Sequence, residues 1–172
     1  MRRVLVSSQS QLGMTESFLD ILWRMHDNVS TFNFKEETAN IKGPLAEGRY
    51  ARIFEGEFGQ FNERVAIKRY KIEERRVEDA NILRYEIVTR IMLSKANVSR
   101  FAELMAMYDD SKYFYIVTDF MEQGSLKDIY TARQLNDHEI IRYSIQISEA
   151  LDYMHSNRLI HRDLSQQRTC WQ

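Results

Sequence analysis

Two rhythms of apolar residues run along the chain. Between Thr15 and Val29, the residues Phe18, Ile21, Leu22, Met25 and Val29 recur at steps of three and four. That is the spacing of one helix face. It predicts a helix packed on the main domain, with docking onto a partner as the alternative. The character then changes. FEGEF and ERVAIKRY are short, rich in Val, Ile, Phe and Tyr, and separated by Gly, Gln and Asn, which reads as strands joined by turns. A helix is predicted from about Ile72 to Lys95. FAELMAMY and FYIVTDF flank Asp109-Asp110-Ser111-Lys112 and suggest a hairpin.

Gly124 breaks this pattern, and helical spacing takes over in GSLKDIY and again from about Asp137 to His155. Asn136, with Glu139 three residues later, fits a capping box for the second of these helices. Strands with one helix come first and helices alone follow, an α+β arrangement with two regions of different character. On a helical wheel, Ile140, Tyr143, Ile147, Ala150, Leu151 and Met154 form one stripe, and Ile141 and Ile145 fall outside it. A helix apolar on two sides expects partners on two sides. Burying one large apolar side chain is worth about 1.5–3 kcal/mol, so the helical half is expected to be marginal, sticky or covered by another chain.

Composition narrows the classes. With 172 residues, 44% hydrophobic and 28% charged, the chain is globular and long enough for a sizeable core. A formal net charge of −1 gives no reason to expect a nucleic-acid or anionic-membrane partner. The single cysteine, Cys170, excludes an internal disulfide and favours a reducing, cytoplasmic setting. No apolar run approaches the roughly 20 residues of a membrane span. The start, MRRVLVSSQSQLG, is basic and free of acids before Glu16. That is compatible with a transit peptide, but a frayed terminus is the preferred reading.

The chemistry lies in five short elements. Val65-Ala66-Ile67-Lys68 closes an apolar strand on a cation. Glu86 follows in the next helix, Thr118-Asp119-Phe120-Met121 ends a strand, and Gly124-Ser125-Leu126 comes after it. His161-Arg162-Asp163-Leu164 lies near the end. In this order and at these separations, the chain resembles a eukaryotic protein kinase from about Lys42 to Leu164. The resemblance implies a kinase-like lobe over residues 37–118, an antiparallel sheet with one regulatory helix. A hinge and partial helical lobe would span 119–172, with residues 1–36 as an N-terminal segment carrying the amphipathic stretch.

It also implies roles. Lys68 would hold the α- and β-phosphates of ATP, with Glu86 as its anionic partner. The register EIVTRIMLSKANV selects Glu86, and Glu73, Glu74 and Glu78 read as solvated charges. Leu45, Ile53 and Ala66 would roof the adenine, a role that ordinary sheet core could equally explain. Thr118 stands at the gatekeeper position, and the backbone from Asp119 to Met121 would read the adenine edge. Ser125 lies where the family often contacts the ribose. Asp163 would accept the substrate hydroxyl proton.

Two departures qualify the resemblance. The phosphate-covering pattern Gly-x-Gly-x-x-Gly-x-Val is here Ala46-Glu47-Gly48-Arg49-Tyr50-Ala51-Arg52-Ile53. Only Gly48 is retained, and weakened rather than abolished nucleotide binding is expected. The catalytic loop should continue from Asp163 to a magnesium-binding asparagine, yet that position is Arg168, and no Asn, Asp or Glu follows Asp163. An arginine cannot ligate a cation. Mg2+ would accompany ATP in the family, but its ligands are missing here. The expectation is a truncated chain that keeps part of an ATP site without phosphotransfer to a protein hydroxyl. The alternative is a non-catalytic module that docks on a kinase or scaffold. VAIKRY and IVTDFMEQGSL look most similar to the tyrosine-kinase-like group.

Overall fold

The computed structural model describes residues 5–8, 39–48, 50–71, 77–94, 100–110 and 112–166. For residues 5–8, 77–82 and 84 it describes the backbone alone. In chain order the elements are β1 (Leu5–Ser8), β2 (Asn40–Glu47), β3 (Ala51–Phe58), β4 (Glu63–Lys71), α1 (Val77–Ser94), β5 (Leu104–Asp109), β6 (Tyr113–Asp119), α2 (Leu126–Ala132) and α3 (Asp137–Ser156). The class is α+β. The chain divides into two compact units, one of residues 1–96 with 103–119, the other of 97–102 with 120–172.

The first unit is a six-stranded sheet in the order β1-β5-β6-β4-β3-β2. Five strands pair antiparallel with their neighbours, and β1 adds to β5 in parallel register, Leu5 opposite Ala106 and Ser8 opposite Asp109. The expectation of a frayed terminus is therefore corrected at residues 5–8, whose backbone is paired to a strand edge. The predicted helix between Thr15 and Val29 lies outside the described residues.

Both faces of the sheet carry an apolar cluster, and alternation along β4 sends Val65 and Ile67 to one and Tyr70 to the other. On one face Tyr70, Leu104, Met107, Phe114 and Ile116 pack with Leu83, Ile87 and Ile91 of α1, which recur every four residues. On the other, Phe54, Phe58, Val65, Ile67, Ala106, Tyr108, Tyr115 and Val117 form a second cluster. Tyr108 stacks on Tyr115 with ring centroids 4.6 Å apart, and the Arg69 guanidinium lies 4.4 Å from the ring centres of both Phe54 and Tyr113.

Strand β2 was not legible as a strand. Its sequence NIKGPLAE carries Gly43 and Pro44, and the pairing with β3 slips at Ile41/Gly43 and at Pro44/Ala46. A proline is tolerated because β2 is an edge strand. The β3–β4 turn is closed by Gly59 and Asn62, both with positive φ.

In the second unit, α2 begins at a full capping box. Ser125 Oγ accepts from Asp128 N at 3.2 Å, and Asp128 Oδ2 accepts from Ser125 N at 2.8 Å. The capping box predicted for α3 is present, with Asn136 Oδ1 accepting from Glu139 N at 2.9 Å and Glu139 Oε2 from Asn136 N at 3.1 Å. A hydrogen-bonded ion pair with Arg133, together with the Asn136 backbone, pulls the Glu139 carboxyl down to about 2. Helix α3 ends in a Schellman arrangement: Leu159 N donates to the Met154 carbonyl, and Arg158 N to that of His155. Arg158 takes the left-handed position usually filled by glycine. Of the predicted stripe on α3, Tyr143 and Met154 are buried, but Ile140 is exposed along with Ile141 and Ile145.

Gly56 marks a tight point on the second sheet face. A Cβ there would stand 2.3 Å from Ile67 Cδ1 and 2.6 Å from the Asn40 carbonyl oxygen, while one at Gly43 meets nothing within 4 Å. Gly56→Ala should therefore cost about 1–3 kcal/mol, as overpacking does. Gly43→Ala should change stability by less than about 0.5 kcal/mol. Chemical denaturation of the two variants checks the contrast, and equal effects would contradict it.

Candidate functional site

Strand β4 sets the site in the first unit. Alternation puts Ala66, Lys68 and Tyr70 on the face that carries α1, and pairing brings Ile53 and Ile116 beside Lys68 and Thr118 beside Ala66. Ile53, Ala66 and Thr118 are half-buried there, whereas Leu45, at the second slip of the edge strand, is 47% exposed. The structure thus groups Ile53, Ala66, Lys68 and Thr118, and leaves Leu45 largely in solvent.

From α1, Glu86 reaches Lys68. The Lys68 ammonium donates to both carboxylate oxygens, at 2.7 and 2.9 Å, and the Tyr70 hydroxyl donates to Glu86 Oε2. Burial alone would raise the Glu86 carboxyl. The Lys68 charge and hydrogen bond, the Tyr70 hydroxyl and the Arg90 charge outweigh it, and the net shift is downward. An ammonium has three donors, and two point at Glu86, so one remains for another acceptor. Tyr70 was missed by sequence reasoning. Its signal was its place two residues after Lys68, on the same strand face.

The loop between β2 and β3 is held by its own contacts. Gly48 N donates to the Ala51 carbonyl at 2.9 Å, and Arg52 pairs with Glu47 at 2.7 Å. Gly48 is not among the glycines with positive φ, which are Gly59 and Gly124. Its lack of a side chain matters here through close approach, since a Cβ would lie 3.3 Å from the Ala51 oxygen. At the end of β6, Asp119 N donates to the Glu103 carbonyl at 3.1 Å. Burial first, and the Glu103 charge second, push the Asp119 carboxyl above its ordinary value.

The remaining sequence-selected residues belong to the second unit. The Met121 carbonyl accepts from Gly124 N at 3.0 Å. Ser125 is buried, and its hydroxyl also donates to Asp128 Oδ2 at 2.6 Å, so capping α2 engages both its functions. His161, Arg162 and Asp163 are exposed, with Asp163 N donating to His161 Nδ1 at 3.3 Å. Arg162 has φ of 64°, a conformation that non-glycine residues hold only under local constraint. Gln166 fixes the next stretch to α2: its carbonyl accepts from Lys127 N at 3.0 Å and its side chain from the Tyr130 hydroxyl at 2.8 Å. Arg168 lies outside the described residues. Among the described residues, no three metal-ligating side chains come together.

The protein kinase domain pattern matches residues 39–167, three-quarters of the chain. The chain belongs to the protein kinase family. Among curated kinases, it is similar to the serine/threonine-protein kinase TIO of Arabidopsis thaliana, 28% identical over 123 residues that cover 72% of this chain and 9% of that protein. It is likewise similar to the tyrosine-protein kinase transforming protein Abl of Abelson murine leukemia virus, 25% identical over 149 residues, 84% of this chain and 19% of that protein. A third relative, a probable inactive serine/threonine-protein kinase of Dictyostelium discoideum, is 36% identical over 74 residues, 42% of this chain and 6% of that protein. The chain spans less than a fifth of the length of each of these kinases. No described helix is long and apolar enough to cross a membrane.

The lowered Glu86 carboxyl sets a pH dependence. Its folded-state value lies below the unfolded one, so the stabilisation is fully present above the unfolded value of about 4.3. It is lost as pH falls through the folded value. The melting temperature of Glu86→Gln should therefore trail the parent most at pH 7, with the gap closing below about pH 4. A gap that stays constant down to pH 3 would show that the carboxylate charge does not matter.

Proposed function

We propose that this chain binds ATP through Lys68 and does not itself pass the γ-phosphate to a protein hydroxyl. The observation that carries the first half is the ion pair. Glu86 holds the Lys68 ammonium at a defined place and leaves one of its donors for an anion, the role the family gives a lysine facing the α- and β-phosphates. Ile53, Ala66 and Thr118 on the same sheet face would contact the adenine, with the backbone from Asp119 to Met121 reading its edge. Ser125 is not needed for the ribose in this reading, because its hydroxyl is engaged at the α2 cap.

The second half rests on the donor set. ATP supplies the phosphoryl group when bound, and Mg2+ would neutralise its charge. Arg168 occupies the position where the family places a metal-binding asparagine, and an arginine cannot ligate a cation. No step through a metal is assigned. Asp163 keeps the type of the family's proton acceptor and follows Arg162, whose positive φ is a constrained backbone conformation.

VAIKRY and IVTDFMEQGSL support the tyrosine-kinase-like group, which mixes features of both substrate classes, and relatives named for either class match this chain. Residues 37–118 and 119–172 would serve as the two lobes. A second reading, a regulatory module that docks on another protein, is favoured by Ile141 and Ile145, one turn apart on α3 and both exposed.

Thermal unfolding with and without nucleotide separates these readings. ATP at about ten times its Kd adds roughly 1.4 kcal/mol, which raises the melting temperature by about 3–6 °C in a chain of this size. The rise should be the same with magnesium or with a chelator, should disappear in Lys68→Met and should persist in Asp163→Asn. No rise in the parent chain would leave the docking reading. Phosphate transfer abolished by both substitutions would show an enzyme and overturn the proposal.

A further inference from the structure

Lys68 and Glu86 hold each other, but a third side chain reaches both of them. The Tyr70 hydroxyl donates to Glu86 Oε2. The ring of the same residue lies 5.2 Å from the Lys68 ammonium, within the range of a cation–π contact. Glu86 thus has both carboxylate oxygens engaged from β4. Oε1 accepts from Lys68 at 2.7 Å, and Oε2 accepts from Lys68 at 2.9 Å and from Tyr70.

The two donors differ in stiffness. An ammonium on a flexible four-carbon stem can follow a carboxylate through a range of positions, so Lys68 by itself places Glu86 loosely. A tyrosine turns about two side-chain bonds only. The Tyr70 ring is 1% exposed and packs with Leu83, Ile87 and Phe114, and close packing of this kind holds a side chain in one rotamer minimum. Its hydroxyl is a fixed point. It belongs to the residue two places along the strand from Lys68, a separation of roughly 7 Å. Two anchors spaced along β4, one of them rigid, define where Glu86 stands.

The same bond resists departure of α1. A shift that carried Glu86 away would break the Tyr70 bond together with the ion pair, and a hydrogen bond to a charged acceptor is worth more than a neutral one. The other charge acting on this carboxylate is Arg90. It lies four residues further along α1 and moves with the helix, so it does not tie the helix to the sheet. Tyr70 does.

We propose that Tyr70 is a positioning residue, whose ring and hydroxyl fix the Lys68–Glu86 pair and so keep the third donor of the ammonium in one place. The consequence for nucleotide rests on the ATP reading. A protein whose binding-competent arrangement is only partly populated binds more weakly in proportion to that fraction. By holding the pair together, Tyr70 removes this loss.

Tyr70→Phe keeps the ring and removes the hydroxyl. Followed by NMR of the side-chain carboxyls, Glu86 should titrate at a higher pH in this variant than in the parent. Amide exchange in α1 from Leu83 to Ile91 should speed on the order of tenfold, the scale of a hydrogen bond to a charged acceptor. Ile91→Val trims the same apolar cluster and leaves the hydroxyl in place, so it should lower stability without moving the Glu86 titration. An unchanged titration or unchanged α1 exchange in Tyr70→Phe, or an equal titration shift in Ile91→Val, would overturn the proposal. Where the parent binds ATP, Tyr70→Phe should raise the Kd at least about threefold, and an equal Kd would refute the consequence for nucleotide. Titration and exchange involve no nucleotide, so a parent that binds no ATP defeats the ATP reading and leaves the role of Tyr70 decided by those two measurements.

Discussion

The ion pair between Lys68 and Glu86 is the constraint around which the first unit is arranged. A half-buried carboxylate without a counter-charge would be costly, so α1 must present Glu86 where Lys68 can reach it. The helix can do so only because Leu83, Ile87 and Ile91 fix its rotation against Tyr70, Phe114 and Ile116. The apolar contacts supply most of the stability of this docking, and the charges select its register. Tyr70 belongs to both sets: its ring is in the core, and its hydroxyl bonds Glu86. Slipping α1 by one residue would swing Glu86 about 100° around its axis and leave the ammonium unpaired.

Much of this was readable from residue spacing. Short runs rich in Val, Ile, Phe and Tyr between turn residues identified FEGEF and ERVAIKRY as strands and FAELMAMY with FYIVTDF as a hairpin, and Asn136 with Glu139 identified the start of α3, because these signals depend only on near neighbours in the chain. What escaped depends on distant partners. Strand β2 contains Gly43 and Pro44, which read locally as a turn; it is a strand because β3 offers it an edge where a missing N–H is tolerated. Nothing in Leu5–Ser8 announces pairing with β5. Arg158 in a left-handed cap carries no local cue, since glycine is the residue expected there.

The site residues divide along the same line. Lys68 and Glu86 are eighteen positions apart, and their roles were named through resemblance before any geometry; the contact itself came from the fold. Ser125 shows the opposite case. Its position suggested a ligand contact, but Gly124-Ser125-Leu126-Lys127-Asp128 also spells a helix start, and the local hydrogen bonds to Asp128 engage its hydroxyl. A serine three residues before an aspartate can satisfy two orphan donors of a helix end, and within the chain this need is always present. A ligand would have to offer more than the cap already gives.

Holding a nucleotide and transferring its phosphate place different demands on a sequence. The first needs a fixed cation and an apolar surface, which sheet and helix packing produce as a by-product of core formation, and which therefore tolerate drift in the glycine pattern from Ala46 to Ala51. The second needs charge neutralisation at defined points on the phosphates, supplied by side chains with no packing role to keep them in place. Exposed loop positions can change type at little cost to stability. In this chain the pair built into the core is present, with the Lys68 ammonium 2.7 Å from Glu86 Oε1.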